Sequence, residues 1–154
     1  MITVIQRVSY AKLLVDDKPF SQIDEGILAL IGIEKADVKS DSEKLLSKIL
    51  DYRIFNDEDG KMNLSVRDIG GCLMLVSQFT LAAQTMNGLR PSFSSAMRPK
   101  EAEEIYNYLV EITKKTYEKT AFGKFGANMR ITLENDGPVT NAFNPSFFAI
   151  KSPA

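Results

Sequence analysis

The segment GILALIGI, residues 26–33, carries no polar side chain at any position. A strand with one solvated face alternates apolar and polar residues, whereas a strand covered on both faces is a continuous apolar run. The run is much shorter than the roughly 20 residues that cross a bilayer. The segment therefore predicts a central strand in the sheet of a globular domain, with no membrane span.

Alternating patterns on either side of this segment predict further strands. Residues 2–6 and 11–15 each alternate apolar and more polar side chains, which is typical of two half-buried strands joined by a short turn. Asp16-Asp17-Lys18-Pro19 then ends the hairpin. The same reasoning predicts strands at residues 72–77, 127–133, 139–143 and 146–150.

Two segments show the spacing of amphipathic helices. Ser40-Asp41-Ser42-Glu43 has the composition of a capping box, and apolar residues follow at helical intervals from Leu45 to Tyr52. Pro99 opens the second helix, with glutamates in its first turn and apolar residues at positions 102, 105, 109 and 112. Strands outnumber helices, and no repeat or linker divides the chain. We therefore expect residues 1–154 to form a single α+β domain.

The composition excludes several kinds of active site. The chain has no histidine, so it cannot supply a Ser-His or Cys-His pair, a histidine-bound zinc or an imidazole base. The run from Asn56 to Gly60 resembles half of a calcium loop, but the first and last positions of such a loop would be Phe55 and Val66. Neither side chain binds a hard cation, so a simple turn is predicted. We expect no metal and no other cofactor.

Charge and cysteine usage point to a compartment and limit the partners. The single cysteine, Cys72, lies in an apolar strand, where a thiol behaves as a small buried hydrophobe. One cysteine and an N-terminus without signal-peptide features favour the reducing cytoplasm. The net charge is −1, from 19 basic and 20 acidic residues. Any contact with a nucleic acid therefore has to come from a local patch.

Two segments are unusual for residues that only pack. Ser77-Gln78-Phe79-Thr80 follows an apolar strand, so polar side chains and backbone N–H groups emerge together at a strand end, a favoured place for function. The alternative is a strand that simply ends in polar residues.

The segment 134–140 contains Asn-Asp-Gly-Pro, which predicts a chain reversal. A cis bond before Pro138, found at about 5–6% of such positions, would instead turn the carbonyls of Gly137 and Pro138 to one side, as acceptors for an ammonium.

Several short motifs, taken in order, resemble those of the D-aminoacyl-tRNA deacylases. The match spans nearly the whole chain, and SQFTL at residues 77–81 together with NDGPVT at residues 135–140 is highly specific. The chain departs from the family pattern at Leu89, where a second basic residue is common, and at Asn128, where an acid is common. Both departures affect the electrostatics of tRNA docking. The other matching segments are residues 6–8, 55–57, 60–64, 88–93 and 125–129.

The resemblance implies a fold, an activity and partners. The fold would be a mostly antiparallel, barrel-like sheet with two main helices. The activity would be proofreading, by hydrolysis of the ester that joins a D-amino acid, or glycine mischarged on tRNA-Ala, to the 3′-terminal adenosine of tRNA. Members of the family are cytoplasmic homodimers with active sites at the subunit interface. Aminoacyl-tRNA and a second copy of the chain are therefore the implied partners.

The resemblance also assigns roles to individual residues. Gly137-Pro138 would be a cis motif that enters the site of the other subunit, holds the α-amino group and excludes L side chains. Arg7, with Asn135 and Thr140, would support that motif, and a related branch of the family has a different residue at the arginine position. The catalytic segment would act mainly through its backbone, with the 2′-hydroxyl of the terminal ribose activating water, and consists of Ser77, Gln78, Phe79 and Thr80.

Some assignments keep an alternative at this point. Phe125, by its motif position, would contact the terminal adenine, unless it is only a core residue. The acceptor stem would dock on lysines that are otherwise a solvated face, namely Lys114, Lys115, Lys119 and Lys124. The chain as a whole would alternatively be a small RNA-end-binding module without turnover, or an esterase with Ser77 or Thr80 as nucleophile.

Overall fold

The N-terminal segment forms one strand and not two. In the computed structural model, which describes residues 1–144, β1 (Ile2–Val15) runs for 14 residues without a turn. β2 (Lys18–Ile23) follows and pairs with it antiparallel. The turn of this hairpin lies at Asp16 and Asp17, whose φ angles are +49° and +64°. The prediction of two strands within residues 2–15 was therefore wrong.

The other elements alternate short strands with two long helices and confirm the α+β class. Residues 146–150, predicted as a strand, lie outside the described residues. The elements in chain order are β3 (Gly26–Gly32), α1 (Lys39–Asp51), β4 (Phe55–Asn56), β5 (Met62–Leu64), β6 (Cys72–Ser77), a 3₁₀ helix (Phe79–Ala82), α2 (Pro99–Thr116), β7 (Thr120–Phe122) and β8 (Met129–Phe143).

Six strands form one sheet that nearly closes on itself. Its order is β2-β1-β3-β6-β7, and β8 pairs with the other edge of β1. The pairs β3–β6 and β6–β7 are parallel, whereas all pairs made by β1 are antiparallel. The Ser21 hydroxyl of β2 donates to the Phe122 carbonyl of β7 at 2.9 Å. This contact joins the two ends of the strand order, so the sheet has the predicted barrel-like form.

The regular alternation of β1 is interrupted at Arg7 and Val8, which are both buried although they are neighbours. The pairing of β1 with β8 changes register on both sides of Val8. Such irregularities change which residues face the core. Ile5 and Leu13 are eight positions apart and would share one face of a regular strand, but Ile5 packs with the helices and Leu13 packs inside the curved sheet. In the sequence, one strand with a change of phase looks like two strands.

β3 is the central strand that its apolar run predicts. It lies between β1 and β6, and Ile27, Leu28 and Ile31 are at most 1% exposed. Alternate residues of the strand face two different clusters: Ile27 and Ile31 pack with the helices, and Leu28 packs inside the curved sheet with Met74. Full burial of each such side chain contributes about 1.5–3 kcal/mol to the free energy of folding. The two-sided burial explains why the run contains no polar residue.

The two predicted helices are present, but α1 begins differently from the prediction. Its N-cap residue is Val38, and the carboxylate of Asp41 accepts a hydrogen bond from the Val38 N–H at 2.8 Å. Ser40 lies inside the helix, so the predicted capping box at residues 40–43 was wrong. α2 begins at Pro99 as predicted, and the buried face includes Leu109. Within residues 1–144, neither helix has the length and apolarity that a membrane crossing needs.

Candidate functional site

The segment 77–80 leaves the sheet where the parallel strands end. Ser77 is the last residue of β6, and the Gln78 N–H donates to the Ile31 carbonyl of β3 at 2.7 Å. The chain then forms the 3₁₀ helix, in which the Leu81 N–H donates to the Gln78 carbonyl at 3.2 Å. Thr80 is exposed. The strand therefore ends in a defined turn that is attached to the central strand.

Two backbone donors emerge from this turn. The N–H groups of Phe79 and Thr80 open the 3₁₀ helix, and no backbone carbonyl of residues 1–144 accepts from either. The first N–H groups of a helix have no partner inside it and carry partial positive charge. The Gln78 side chain lies along the same turn, because its Nε2 donates to the Thr80 hydroxyl. The turn can thus offer two adjacent N–H groups to an oxygen atom.

The segment around Gly137 does not reverse the chain, so that prediction was wrong. β8 continues through it, with Asn135 opposite Val8 and Thr140 opposite Gln6 of β1. Residues 136–139 therefore form a bulge, because five steps along β8 match two steps along β1. Asn-Asp-Gly-Pro is equally suited to a turn and to a bulge, and pairing with β1 on both sides decides between them. The Gly137–Pro138 peptide bond is cis, as the resemblance implies.

Arg7 supports this bulge from inside. It is only 8% exposed, and its Nε donates to the Asp136 carbonyl at 2.9 Å while Nη1 donates to the Ile54 carbonyl at 2.8 Å. The carboxylate of Asp136 lies 3.5 Å from the same Nε. Buried charges need such partners, because desolvation without them costs several kcal/mol. The guanidinium thus connects the bulge to the segment that follows α1.

Asn135 and Thr140 connect the two ends of the bulge. The Asn135 Oδ1 accepts a hydrogen bond from the Val139 N–H at 2.8 Å, and its Nδ2 donates to the Thr140 hydroxyl at 2.8 Å. Gly137 and Pro138 are exposed at the tip. Arg7, Asn135 and Thr140 thus form hydrogen bonds with the residues that flank Gly137-Pro138, or with each other.

The two candidate segments are far apart within one chain. Arg7, beneath the bulge, is paired with Ile27, which is paired with Leu73 of β6, four residues before Ser77. Four residues along a strand and three strand spacings correspond to roughly 20 Å across the sheet. One copy of the chain therefore does not bring Gly137 next to Ser77.

Phe125 follows β7. Because β7 is parallel to β6, Phe125 lies at the same end of these strands as Ser77. It is half-buried, and its ring lies 5.8 Å from that of Tyr106. The Tyr106 hydroxyl bonds to the carbonyls of Leu75 and Gly123, at 3.1 and 3.2 Å. Burial raises the pKa of Tyr106, so this hydroxyl stays protonated and holds the ends of β6 and β7 together. Phe125 thus packs on a rigid support with part of its surface open.

The structure reveals an apolar patch that the sequence patterns did not single out. Phe79 and Phe93 are 61% and 40% exposed, and their ring centroids lie 5.1 Å apart. Met86 and Leu89 are almost fully exposed on the same loop. Large exposed apolar groups of this kind mark interaction sites. The only hint in the sequence was the occurrence of large apolar residues in an otherwise polar segment.

The acidic run at residues 56–60 is a turn, as predicted. The Asp57 carboxylate accepts hydrogen bonds from the Asn63 side chain and from the N–H groups of Lys61 and Asp59, which lowers the pKa of Asp57. Gly60 has a φ of +75° in this turn. Among the described residues, no cluster of three or more His, Cys, Asp or Glu side chains is arranged to hold a metal.

A family model described as D-Tyr-tRNA(Tyr) deacylase matches residues 4–144. The chain belongs to this family. It is therefore a hydrolase of the D-aminoacyl-tRNA deacylase type, as the resemblance implies.

Relatives with similar sequences are described as D-aminoacyl-tRNA deacylases. D-aminoacyl-tRNA deacylase from Dichelobacter nodosus is 54% identical, over 91% of this chain and 97% of the relative. The protein of that name from Stutzerimonas stutzeri is 52% identical, over 89% of this chain and 94% of the relative.

Solved structures confirm the deacylase fold. A protein described as c-Myc DNA Unwinding Element Binding Protein superposes with a TM-score of 0.89 at 39% identity, and the match covers 100% of both chains. A probable eukaryotic D-amino acid tRNA deacylase gives a TM-score of 0.79 at 15% identity, over 92% of this chain and 97% of the other. At 15% identity, the second likeness shows the fold alone.

Gly137→Ala should destabilise the protein more than Gly60→Ala. Gly137 has a φ of +139°, and an added Cβ would lie 2.7 Å from Val139 Cγ2 and 3.0 Å from Arg7 Nη2. Gly60 also has positive φ, but nothing lies within 4 Å of an added Cβ. We expect a loss of about 1 kcal/mol at Gly60 and about 2–4 kcal/mol at Gly137, measured by urea unfolding. Equal losses would show that Val139 and Arg7 do not constrain the bulge.

Proposed function

We propose that the chain hydrolyses the ester of D-aminoacyl-tRNA to free D-amino acid and tRNA, and that it spares L-aminoacyl-tRNA. The observation that carries this proposal is the exposed Gly137-Pro138 tip, which Arg7 supports from inside the sheet. An exposed, rigid pair of backbone carbonyls is a suitable acceptor for a substrate ammonium. We place the reaction in the cytoplasm, where a single thiol such as Cys72 stays reduced.

The chemistry needs little from side chains. An aminoacyl ester is already reactive, and we assign activation of the attacking water to the 2′-hydroxyl of the terminal ribose. The water oxygen bonds to the carbonyl carbon, the C–O bond to the ribose breaks, and the 3′-oxygen takes a proton. The developing oxyanion would accept hydrogen bonds from the N–H groups of Phe79 and Thr80. Preorganised donors of this kind contribute several kcal/mol, which fits a chain without histidine.

Selection of the D enantiomer would follow from exclusion. With the ammonium on the carbonyls of Gly137 and Pro138, an L side chain would collide with the motif, and a D side chain would point away from it. Glycine has no side chain to exclude, so glycine mischarged on tRNA-Ala is also a substrate in this proposal. The terminal adenine would stack on the open part of Phe125, since RNA bases commonly bind aromatic side chains.

The active site would be assembled from two copies of the chain. The distance of roughly 20 Å across the sheet between Gly137 and Ser77, and the outward orientation of the tip, support insertion of the motif into the site of a partner subunit. The apolar patch defined above includes Phe79 of the segment 77–80, and a partner would cover it. A closed twofold arrangement would give two identical sites per dimer.

The direct test compares two substrates of opposite handedness. We expect the purified chain to release D-tyrosine from D-tyrosyl-tRNA and to leave L-tyrosyl-tRNA intact, measured as loss of charged tRNA. Binding of both substrates without ester loss would instead indicate a tRNA-end-binding module. Equal hydrolysis of both would contradict the role of the Gly137 motif.

A second test separates side-chain from backbone catalysis. Ser77→Ala and Thr80→Ala should each retain a substantial fraction of the parent's turnover, because neither hydroxyl is a nucleophile. Phe79→Pro removes one N–H donor while keeping a residue type that suits the first helical position, and Phe79→Ala is the matched control that keeps this N–H. We expect kcat for Phe79→Pro to be about 10²- to 10³-fold lower than kcat for Phe79→Ala. A loss above about a thousandfold in either hydroxyl variant, or a trapped acyl-enzyme, would favour the nucleophilic esterase.

Assembly of the site from two subunits is testable by complementation. Phe79→Pro and Gly137→Ala chains, each inactive alone, are co-expressed with different C-terminal tags, because the N-terminal ammonium is buried against Asp37. In the purified heterodimer, one of the two sites would contain an intact turn and an intact Gly137 motif. We therefore expect about half of the parent's activity per dimer. An inactive heterodimer, or an active monomer by light scattering, would contradict the shared site.

A further inference from the structure

Acidic residues are missing from the longest irregular segment of the chain. No Asp or Glu occurs between Asp68 and Glu101, although the chain has 20 in 154 residues, a frequency that would place about four in these 32 positions. Burial explains the gap in β6, but most of the loop formed by residues 83–98 is exposed. This loop contains two cations, Arg90 and Arg98, and it follows directly from the turn at Ser77–Thr80. An exposed surface of this composition favours an anionic partner.

The fold places a third cation at the end of β6 from which this loop leaves. β7 lies beside β6 in parallel, with Phe122 paired to Leu75, and the Gly123 N–H donates to the Leu75 carbonyl at 2.9 Å. Lys124 therefore leaves the sheet at the level of Ser77, and it is exposed. Nothing in the local sequence around residue 124 indicates this neighbourhood.

The other three lysines proposed for tRNA docking are placed differently. The Lys119 Nζ donates to the Gly70 carbonyl at 2.7 Å. Gly70 lies near the start of β6, so Lys119 is at the end of the strands opposite to Ser77. Lys115 forms an ion pair with Glu111, and Lys114 lies over the ring of Phe122. Of the four, Lys124 is the one next to the candidate catalytic turn.

Arg90, Arg98 and Lys124 have no carboxylate within ion-pair distance in the described part of the chain. Glu34, which is bridged to Ala96 of the loop, is bound to the N-terminal ammonium at 2.9 Å. Three other exposed cations do have a carboxylate within ion-pair distance, namely Arg67 with Asp51 at 3.1 Å, Lys115 with Glu111 at 2.8 Å and Arg130 with Asp17 at 3.1 Å.

We propose that Arg90, Arg98 and Lys124 bind phosphates of the tRNA strand that leads to the esterified adenosine. Guanidinium groups match phosphate oxygens in pairs, and an ammonium adds a point charge. These three cations have no ion-pair partner in the described residues and lie at the end of the sheet where the Phe79 and Thr80 N–H groups emerge. They would direct the 3′ end of the tRNA into the site. This inference rests on the proposed function and adds the surface that holds its substrate.

The test compares two triple variants that change the net charge equally, from −1 to −4. The site variant is Arg90→Gln, Arg98→Gln and Lys124→Gln. The control variant replaces by glutamine the three cations that have their own carboxylates, Arg67, Lys115 and Arg130. Each is assayed on D-tyrosyl-tRNA and on the D-tyrosyl ester of adenosine, which carries no phosphate.

We expect the ratio of kcat/KM for tRNA to kcat/KM for the adenosine ester to fall at least about tenfold in the site variant and less than about twofold in the control. The slope of log kcat/KM for tRNA against log salt should also become shallower by about two to three in the site variant. Equal changes in the two variants would show that only net charge matters and would overturn the proposal. Equal losses on both substrates of the site variant would overturn it as well.

Binding of deacylated tRNA, labelled with fluorescein at its 5′ end, separates this inference from the proposed function. A Kd for this tRNA that is at least about tenfold higher in the site variant, and unchanged in the control variant, supports the phosphate surface. This holds even if the parent hydrolyses neither ester, a result that would contradict the proposed function. Unchanged binding overturns the surface whatever the hydrolysis shows. If the triple variant does not fold, Arg90→Gln alone decides, since this residue is exposed and without an ion pair in residues 1–144.

Discussion

The six-stranded sheet depends on β1, which forms backbone pairs with three other strands along both of its edges. One edge pairs with β3 over residues 2–8 and then with β2 over residues 11–15, and the other edge pairs with β8 over residues 3–15. A buried backbone group that loses its partner costs about 1–3 kcal/mol, so the register of three strands against one is strongly fixed. This register aligns the bulge with Arg7 of β1 and aligns Ser77, at the end of β6, with Thr3 of β1. It thereby sets the distance between the two candidate segments.

Arg7 converts this scaffold into a support for an exposed motif. Its guanidinium is buried, and carbonyl oxygens of Ile54 and Asp136 replace the water that it has lost. The bulge is thus held from the side opposite to the tip, which leaves Gly137 and Pro138 free at the surface. Hydrogen bonds on both sides of the tip, from Arg7 to Asp136 and from Val139 to Asn135, hold it in place against β1.

Most patterns with a local cause were predicted well, with the exception of the capping box at residues 40–43, and patterns that depend on a distant partner were not. β3, β6, α2 and the turn at Asp57 follow from apolar periodicity, an initial proline or a side chain that accepts nearby N–H groups. The predicted reversal at residues 135–138 failed because Asn-Asp-Gly-Pro has the same composition in a turn and in a bulge. The predicted break within residues 2–15 failed because a change of phase depends on the irregular pairing with β8.

The sequence by itself determined the chemistry that is available, the central strand and the family, because these depend on which residues are present and on their order. The tertiary structure decided that Lys124 lies beside Ser77, that Arg7 lies beneath Gly137, and that Gly137 is remote from Ser77 in one chain. The bond from Arg7 to Asp136 spans 129 positions of sequence. Such neighbours are selected by burial and by backbone pairing across the whole sheet, and no local pattern of residues contains that information.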